Sequence, residues 1–261
     1  MTGVTFGRVV RSEWTKLRSL RSTWIILGGT VILTVAFAAA FGRGYGTQIG
    51  SGEVTPSLGK AIDVTFIGLD LSALIIGVFG ILQITGEYSS GLIRASLLAV
   101  ARRWPLLLAK ALVLALATAV VMGLTGLAAF LVGQSMIGAE GVTLADPGAV
   151  RAVLGATAYV VAMTLIGLSI GAIVRHSAVA ITVFVAAMLI LPAMLGPALP
   201  DSLERHVMPY VPIAAAQAVY TQLPDAGPIT LLSPGSGLLV LAGWVITLLL
   251  GGIVVLNRRD A

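Results

Sequence analysis

Long apolar stretches make up most of the chain, and short polar segments separate them. Six stretches approach or exceed the roughly 20 helical residues that cross the hydrocarbon core of a bilayer. They cover about residues 23–41, 64–84, 105–133, 149–174, 178–199 and 237–256. The pattern predicts an all-α membrane protein with six transmembrane helices, folded as a single transmembrane domain over residues 1–261.

An amphipathic segment precedes the first span, over residues 4–20. At about 100° per residue, its apolar side chains fall on one arc of a helix and most of its basic side chains on the other. We expect this interface helix to lie on the inner leaflet, with Trp14 at headgroup depth and Lys16 and Arg18 on the polar side. Glu13 falls inside the apolar arc. It either pairs with a basic residue from another segment or is exposed at the rim.

A polar, basic segment at residues 86–104 lies between the second and third spans. Its single acid is Glu87, and its basic residues are Arg94, Arg102 and Arg103. Because loops rich in Lys and Arg stay on the cytoplasmic side, this segment is predicted to be a cytoplasmic hairpin. A helix starting at Glu87 would hold that carboxylate in its first turn, where the helix dipole favours it. Arg94 would then follow two turns further along the same face.

The distribution of basic residues indicates the topology. Of the 16 Lys and Arg residues, twelve fall beside the termini, the hairpin or the short link at residues 175–177. This bias predicts a plasma-membrane protein with both termini in the cytoplasm and a tight inner turn at that link. Three segments are then expected outside, at residues 42–63, 134–148 and 200–236, the last with a short helix at 213–220 following Pro212.

Composition agrees with a membrane protein and excludes several other classes. Hydrophobic residues make up 57% of the chain and charged residues 10%, with a mean hydropathy of +1.02. A net charge of +5 would suit nucleic acid, but the basic residues lie at the ends of apolar stretches, so membrane orientation explains them and no nucleic-acid partner is predicted. The absence of Cys excludes disulfides, a thiolate nucleophile and Cys-based metal sites.

The sequence offers little catalytic chemistry. It has no GxxxxGK[ST] phosphate loop, so ATP hydrolysis is not expected on this chain. Gly167, Ser169 and Gly171 match GxSxG, but they lie in a helical span, where small residues favour close helix packing. The only histidines, His176 and His206, fall on opposite sides of the membrane. We therefore predict no catalytic residue, metal or cofactor.

Asp70 is the one acid well inside an apolar stretch. An ionisable residue at this depth is a candidate functional site in the membrane. The alternative is that it reaches the boundary or caps a neighbouring helix.

Two stretches carry a resemblance to a known family. VVRSEWTKLRSLRSTW at residues 9–24 and EYSSGLIR at residues 87–94, with Arg102, Arg103 and Lys110 after them, resemble the permease subunits of ABC-2 type transporters, particularly those of actinobacteria. The resemblance implies that the hairpin is a coupling helix, that it docks on a separate ABC ATPase subunit, and that the permease works as a pair with a second or homologous copy. The coupling residues it implies are Glu87, Tyr88, Gly91, Arg94, Arg102 and Arg103.

The expected function is that of an exporter permease. Because the spans are nearly free of charge, the cargo is expected to be hydrophobic or amphipathic, and membrane lipid is an expected partner. The alternative is an integral membrane protein that scaffolds or modulates a complex without an ATPase.

Overall fold

A computed structural model describes residues 5–92, 104–198, 200–224 and 230–258, and within these ranges the chain forms helices and turns with no strand. The first helices are α1 (Phe6–Ser19), α2 (Arg21–Gly50), α3 (Leu58–Thr65), α4 (Leu69–Ser89), α5 (Trp104–Ile137) and α6 (Ala149–Val174). The chain continues with α7 (Ser177–Val185), a π-helical turn (Ala186–Ile190), α8 (Leu191–Ala198), α9 (Asp201–Val207), a 3₁₀ turn (Met208–Tyr210), α10 (Pro212–Tyr220) and α11 (Pro234–Arg258).

Six helical segments of the described chain are long and apolar enough to cross a membrane. They are Arg21–Gly50, Leu58–Ser89, Trp104–Ile137, Ala149–Val174, Ser177–Met194 and Pro234–Arg258. The predicted all-α class with six spans is confirmed. The short helix expected after Pro212 is also present, as α10.

The predicted loop at residues 42–63 is largely helical, because α2 continues to Gly50 and α3 begins at Leu58. The glycines that suggested a loop instead let α2 approach α5 closely. A Cβ atom on Gly42 would overlap the carbonyl of Gly133, and one on Gly46 would lie 2.7 Å from the Ile137 carbonyl oxygen. Glycine therefore serves backbone contact here and does not end the helix.

Helix α6 forms the centre of the bundle and packs against α4, α5, α10 and α11. Its closest approach is to α4, where a Cβ on Gly167 would overlap the Gly77 carbonyl and one on Gly171 would lie 2.8 Å from the side chain of Ile84. The predicted small-residue packing is confirmed. Ser169, between these glycines, is fully buried and donates a hydrogen bond to the Leu165 carbonyl at 2.7 Å.

The helices alternate in direction, so one end of the bundle collects α1, the starts of α2, α5 and α7, and the ends of α4, α6 and α11. We call this end the terminal face and the other end the distal face. The predicted tight turn at the terminal face is confirmed: Arg175 adopts a left-handed conformation (φ 64°) between α6 and α7. Its guanidinium donates to the Val255 carbonyl at 3.1 Å, which ties α11 to this turn.

Candidate functional site

Four buried or half-buried charges from three helices meet at the terminal face. Lys110 lies 2.5 Å from Glu13 Oε2 and 2.8 Å from Glu87 Oε1. Lys16 lies 2.6 Å from Glu13 Oε1 and 3.0 Å from Glu87 Oε1. Each lysine thus contacts both carboxylates, and we call this closed, net-neutral set the charge ring.

The charge ring resolves the position of Glu13. This residue is 3% exposed and pairs with Lys110 of α5 as well as with Lys16 on its own helix. Of the two alternatives for Glu13, pairing with a basic residue of another segment is therefore the one observed. The exposed rim position is excluded.

Glu87 differs from its sequence-based placement. It lies in the last turn of α4 (Leu69–Ser89), so the expectation that it begins a helix is wrong. A carboxylate at a helix C-terminus is opposed by the dipole, by roughly 0.3–1 kcal/mol. Two ammonium groups within 3.0 Å of Glu87 offset this. Its side chain is directed into the ring and is 9% exposed.

The ring also keeps Lys16 charged. Partial burial alone would lower the pKa of Lys16, but the hydrogen bonds and charges of Glu13 and Glu87 outweigh burial and raise the pKa above its ordinary value. Lys16 therefore carries its full positive charge at physiological pH.

Two other predicted coupling residues shape the end of α4. Gly91 has φ +72° and follows the last turn, a left-handed position that glycine adopts without strain. The ring of Tyr88 lies 5.2 Å from the guanidinium carbon of Arg175, a cation–π distance that links α4 to the α6–α7 turn. Arg94, Arg102 and Arg103 lie outside the described residues.

The remaining predicted interface-helix residues face outward. Trp14 is 48% exposed, and Arg18 is exposed in the last turn of α1. The structure therefore separates the predicted set: Glu13 and Lys16 point into the charge ring, while Trp14 and Arg18 lie on the surface.

A cavity of about 410 Å³ opens beside the charge ring, between α1, α2, α4 and α5. Apolar side chains such as Phe79 and Leu82 share its lining with Gln83 and Ser22. The cavity thus combines an apolar wall with polar and charged groups, and its size is in the range of small-molecule sites.

Comparison with protein families supplies the identity of this helical bundle. A family model described as ABC-2 family transporter protein matches residues 8–261. The chain belongs to the ABC-2 transporter family. It is a multi-pass membrane permease subunit of an ABC transporter. No curated protein matches the chain.

At the distal face of this ABC-2 permease, Asp70 is held by two other helices. Tyr159 of α6 donates its hydroxyl to Asp70 Oδ1 at 2.8 Å, and Gln217 of α10 donates to Oδ2 at 2.9 Å. Asp70 lies in the first turn of α4, where the dipole favours a carboxylate. Asp70 therefore joins the first turn of α4 to α6 and α10.

A second part of the distal face clamps the chain after α10. The backbone N–H groups of Gln222 and Leu223 donate to Asp63 at 2.7 and 3.0 Å. Arg151 donates to the carbonyls of Val219 and Thr221 at 3.0 and 3.1 Å, and to Gln222 Oε1 at 2.7 Å. Together with Asp70, Tyr159 and Gln217, we call Asp63, Arg151 and Gln222 the distal network.

Most residues of the distal network, and the burial of Lys110 in the charge ring, were not predicted from the sequence of this ABC-2 permease. Arg151 was used only as one of the basic residues that indicate the topology. Tyr159 and Gln217 lie in apolar helices, and nothing in the local sequence marks them as partners of Asp70. Lys110 was recognised as one more basic residue near the hairpin. Its burial, at 5% exposed, gave no sequence signal beyond its place six positions into an otherwise apolar helix.

Proposed function

We propose that this permease forms the membrane-embedded part of an ABC exporter, as one of a pair, driven by ATP hydrolysis on separate ATPase subunits. The observation that carries the proposal is the position of the charge ring. Glu87 lies in the last turn of α4 and Lys110 in the second turn of α5, on either side of the segment that connects these helices. Their charged atoms lie 2.8 Å apart. Glu13 and Lys16 of α1 pair with Lys110 and Glu87, so α1 is bound to the same ends of α4 and α5.

This arrangement suits the transmission of force. A partner that pushes on residues 90–103 acts on α4, α5 and α1 together, because the ring holds their ends as one unit. Helix α4 packs on α6 and α5 packs on α2, so a displacement at the ring reaches the centre of the bundle. ATP-driven closure of the partner subunits would then open and close the path by rigid-body motion of these helices.

The proposed orientation holds the charge ring and both termini in the cytoplasm. The bias of basic residues supports it, since twelve of 16 lie on this side in the six-span arrangement. The proposed cargo is hydrophobic or amphipathic. The cavity of about 410 Å³ beside the ring supports this class, because it offers an apolar wall next to polar groups.

Co-expression with a candidate ABC ATPase tests the proposal. The complex is purified, reconstituted and assayed for ATP hydrolysis with and without apolar compounds. Glu87→Gln removes one ring charge, while Glu13 still contacts both lysines. We expect this variant to reach the membrane and to lose stimulated hydrolysis or ATPase association.

Two further variants make the result specific. Glu87→Asp should retain part of the stimulation, since it keeps a carboxylate facing Lys16 and Lys110. Glu140→Gln, at an exposed loop acid, should behave as wild type. Wild-type coupling in Glu87→Gln would disprove the role of the ring. Failure to recover any ATPase, with the permease stably bound to other membrane proteins, would favour the scaffold alternative.

A further inference from the structure

A second cavity at the terminal face is almost entirely apolar. It has a volume of about 440 Å³ and lies between α1, α2 and α5, away from the charged wall of the first cavity. Its lining includes Trp14 and Arg18 of α1, Trp24 of α2, and Val113 and Val121 of α5. We call it the lipid groove.

The dimensions of the lipid groove match one leaflet. Its α5 wall runs from residue 113 to residue 121, about 12 Å at 1.5 Å per residue. The hydrocarbon of one leaflet is about 15 Å deep, half of a bilayer core. A single acyl chain can therefore lie along this wall with its head at the terminal face.

The mouth of the groove is marked by two tryptophans and an arginine. Trp14 and Trp24 are 48% and 58% exposed, and the Trp24 indole donates to the Arg18 carbonyl at 3.1 Å. Exposed tryptophans of membrane proteins concentrate at headgroup level. The hydrogen bond holds the start of α2 against the end of α1, so the mouth is a formed feature of the fold.

The charge around the mouth is positive. Glu13 is the only acid in the first 50 residues, and its charge is neutralised inside the charge ring. At the terminal face, the exposed basic side chains of α1 and the start of α2 are Arg8, Arg11, Arg18 and Arg21. Pockets that combine an apolar groove with basic residues at the membrane surface suit anionic lipid headgroups.

Thr23 adds a polar group to this lining. It is 2% exposed, and its hydroxyl has no hydrogen-bond partner among the described residues. Thr30 and Thr34 donate to the carbonyls four residues before them. Thr23 lies in the first turn of α2, and the residue four positions before it belongs to α1. Thr23 therefore does not form the hydrogen bond within its own helix that Thr30 and Thr34 form.

We propose that the lipid groove is a binding site for one anionic phospholipid, with an acyl chain between α1, α2 and α5 and the phosphate against Arg18. Annular lipid would fill the same space without regard to headgroup charge. A bound anionic lipid would fasten the outer side of α1, whose inner side is held by the charge ring.

Tryptophan quenching tests the site directly, because Trp14 and Trp24 line the groove. The other two tryptophans are replaced, as Trp104→Phe and Trp244→Phe, and the full chain is reconstituted in vesicles. Brominated phosphatidylglycerol or brominated phosphatidylcholine is then titrated into unbrominated phosphatidylcholine. We expect half-maximal quenching at a mole fraction about fivefold lower for the anionic lipid, the factor for one basic residue at a membrane surface.

Two variants separate the headgroup contact from the groove. Arg18→Gln should abolish the preference for the anionic lipid, while Arg43→Gln, an exposed arginine at the distal end of α2, should keep it. Ala117→Phe, which fills the groove, should reduce quenching by both lipids. Equal quenching by both lipids in the parent protein, or a preference that survives Arg18→Gln, would overturn the proposal. So would the absence of quenching by either lipid, which would show that protein covers the groove.

Discussion

Glu87 and Lys110 are 23 residues apart in the chain, and their charged atoms lie 2.8 Å apart. The contact joins the last turn of α4 to the second turn of α5. Glu13 and Lys16 complete the charge ring from α1. A buried pair of this kind gives little net stability by itself, but removing one partner is costly, because it leaves a charge unpaired.

Lys110→Ala should therefore destabilise the protein more than any other single change in the ring. Glu13 and Glu87 would keep only Lys16 as a counter-charge, and we expect a loss of about 3 kcal/mol, toward the lower end for a broken buried pair. The fraction of purified protein that stays monodisperse after heating measures this effect. Glu140→Gln, at an exposed acid, is the control. Unchanged heat resistance in Lys110→Ala would show that the ring contributes nothing to the fold.

Tyr159→Phe should weaken the distal network. The change removes one hydroxyl and leaves the carboxylate of Asp70 with Gln217 alone. Hydrogen bonds to charged groups contribute about 1.5–3 kcal/mol, so the melting temperature should fall and the amides at the start of α4 should exchange faster with deuterium. Tyr210→Phe is the matched control, since Tyr210 is 52% exposed. If exchange at the start of α4 stayed at the parent rate, the bond from Tyr159 to Asp70 would not hold α4 to α6.

Gly167→Leu should separate α4 from α6, because even a Cβ atom at this position would overlap the Gly77 carbonyl. We expect a sharp fall in the yield of folded protein. Gly243→Leu is the control, because a Cβ built at Gly243 would lie within 4 Å of no other helix. Yield and size-exclusion profiles of both variants measure the difference. Normal folding of Gly167→Leu together with selective loss of one chemical activity would revive the GxSxG motif as a nucleophile site.

The proposed orientation can be tested by labelling, since the chain contains no Cys. Cysteines introduced at Ser51 and Ala139, exposed near the distal face, should react with an impermeant maleimide added to intact cells. Cysteines at Ser12 and Ser90, exposed at the terminal face, should react only after lysis. Labelling of Ser90→Cys from outside would reverse the orientation and remove the basis for an ATPase at the charge ring.

The spans, α1 and the tight turn after Val174 could be predicted because each depends on local pattern. Apolar length identifies a spanning helix, and a period near 3.6 identifies an amphipathic one. The same rules failed at residues 42–50, where Gly42 and Gly46 suggested a loop. Only the position of α5 beside them makes glycine a packing residue.

The sequence by itself determined the all-α class, the six spans and the family resemblance, because hydrophobic length and short motifs are local properties of the chain. It also marked Glu13 and Glu87 as unusual, since each acid stands in an apolar or basic setting. Only the tertiary structure decided that both acids share Lys16 and Lys110, and that Asp70 meets Tyr159 and Gln217. The physical reason is that a buried charge requires a partner, and which partner it meets depends on how distant helices pack.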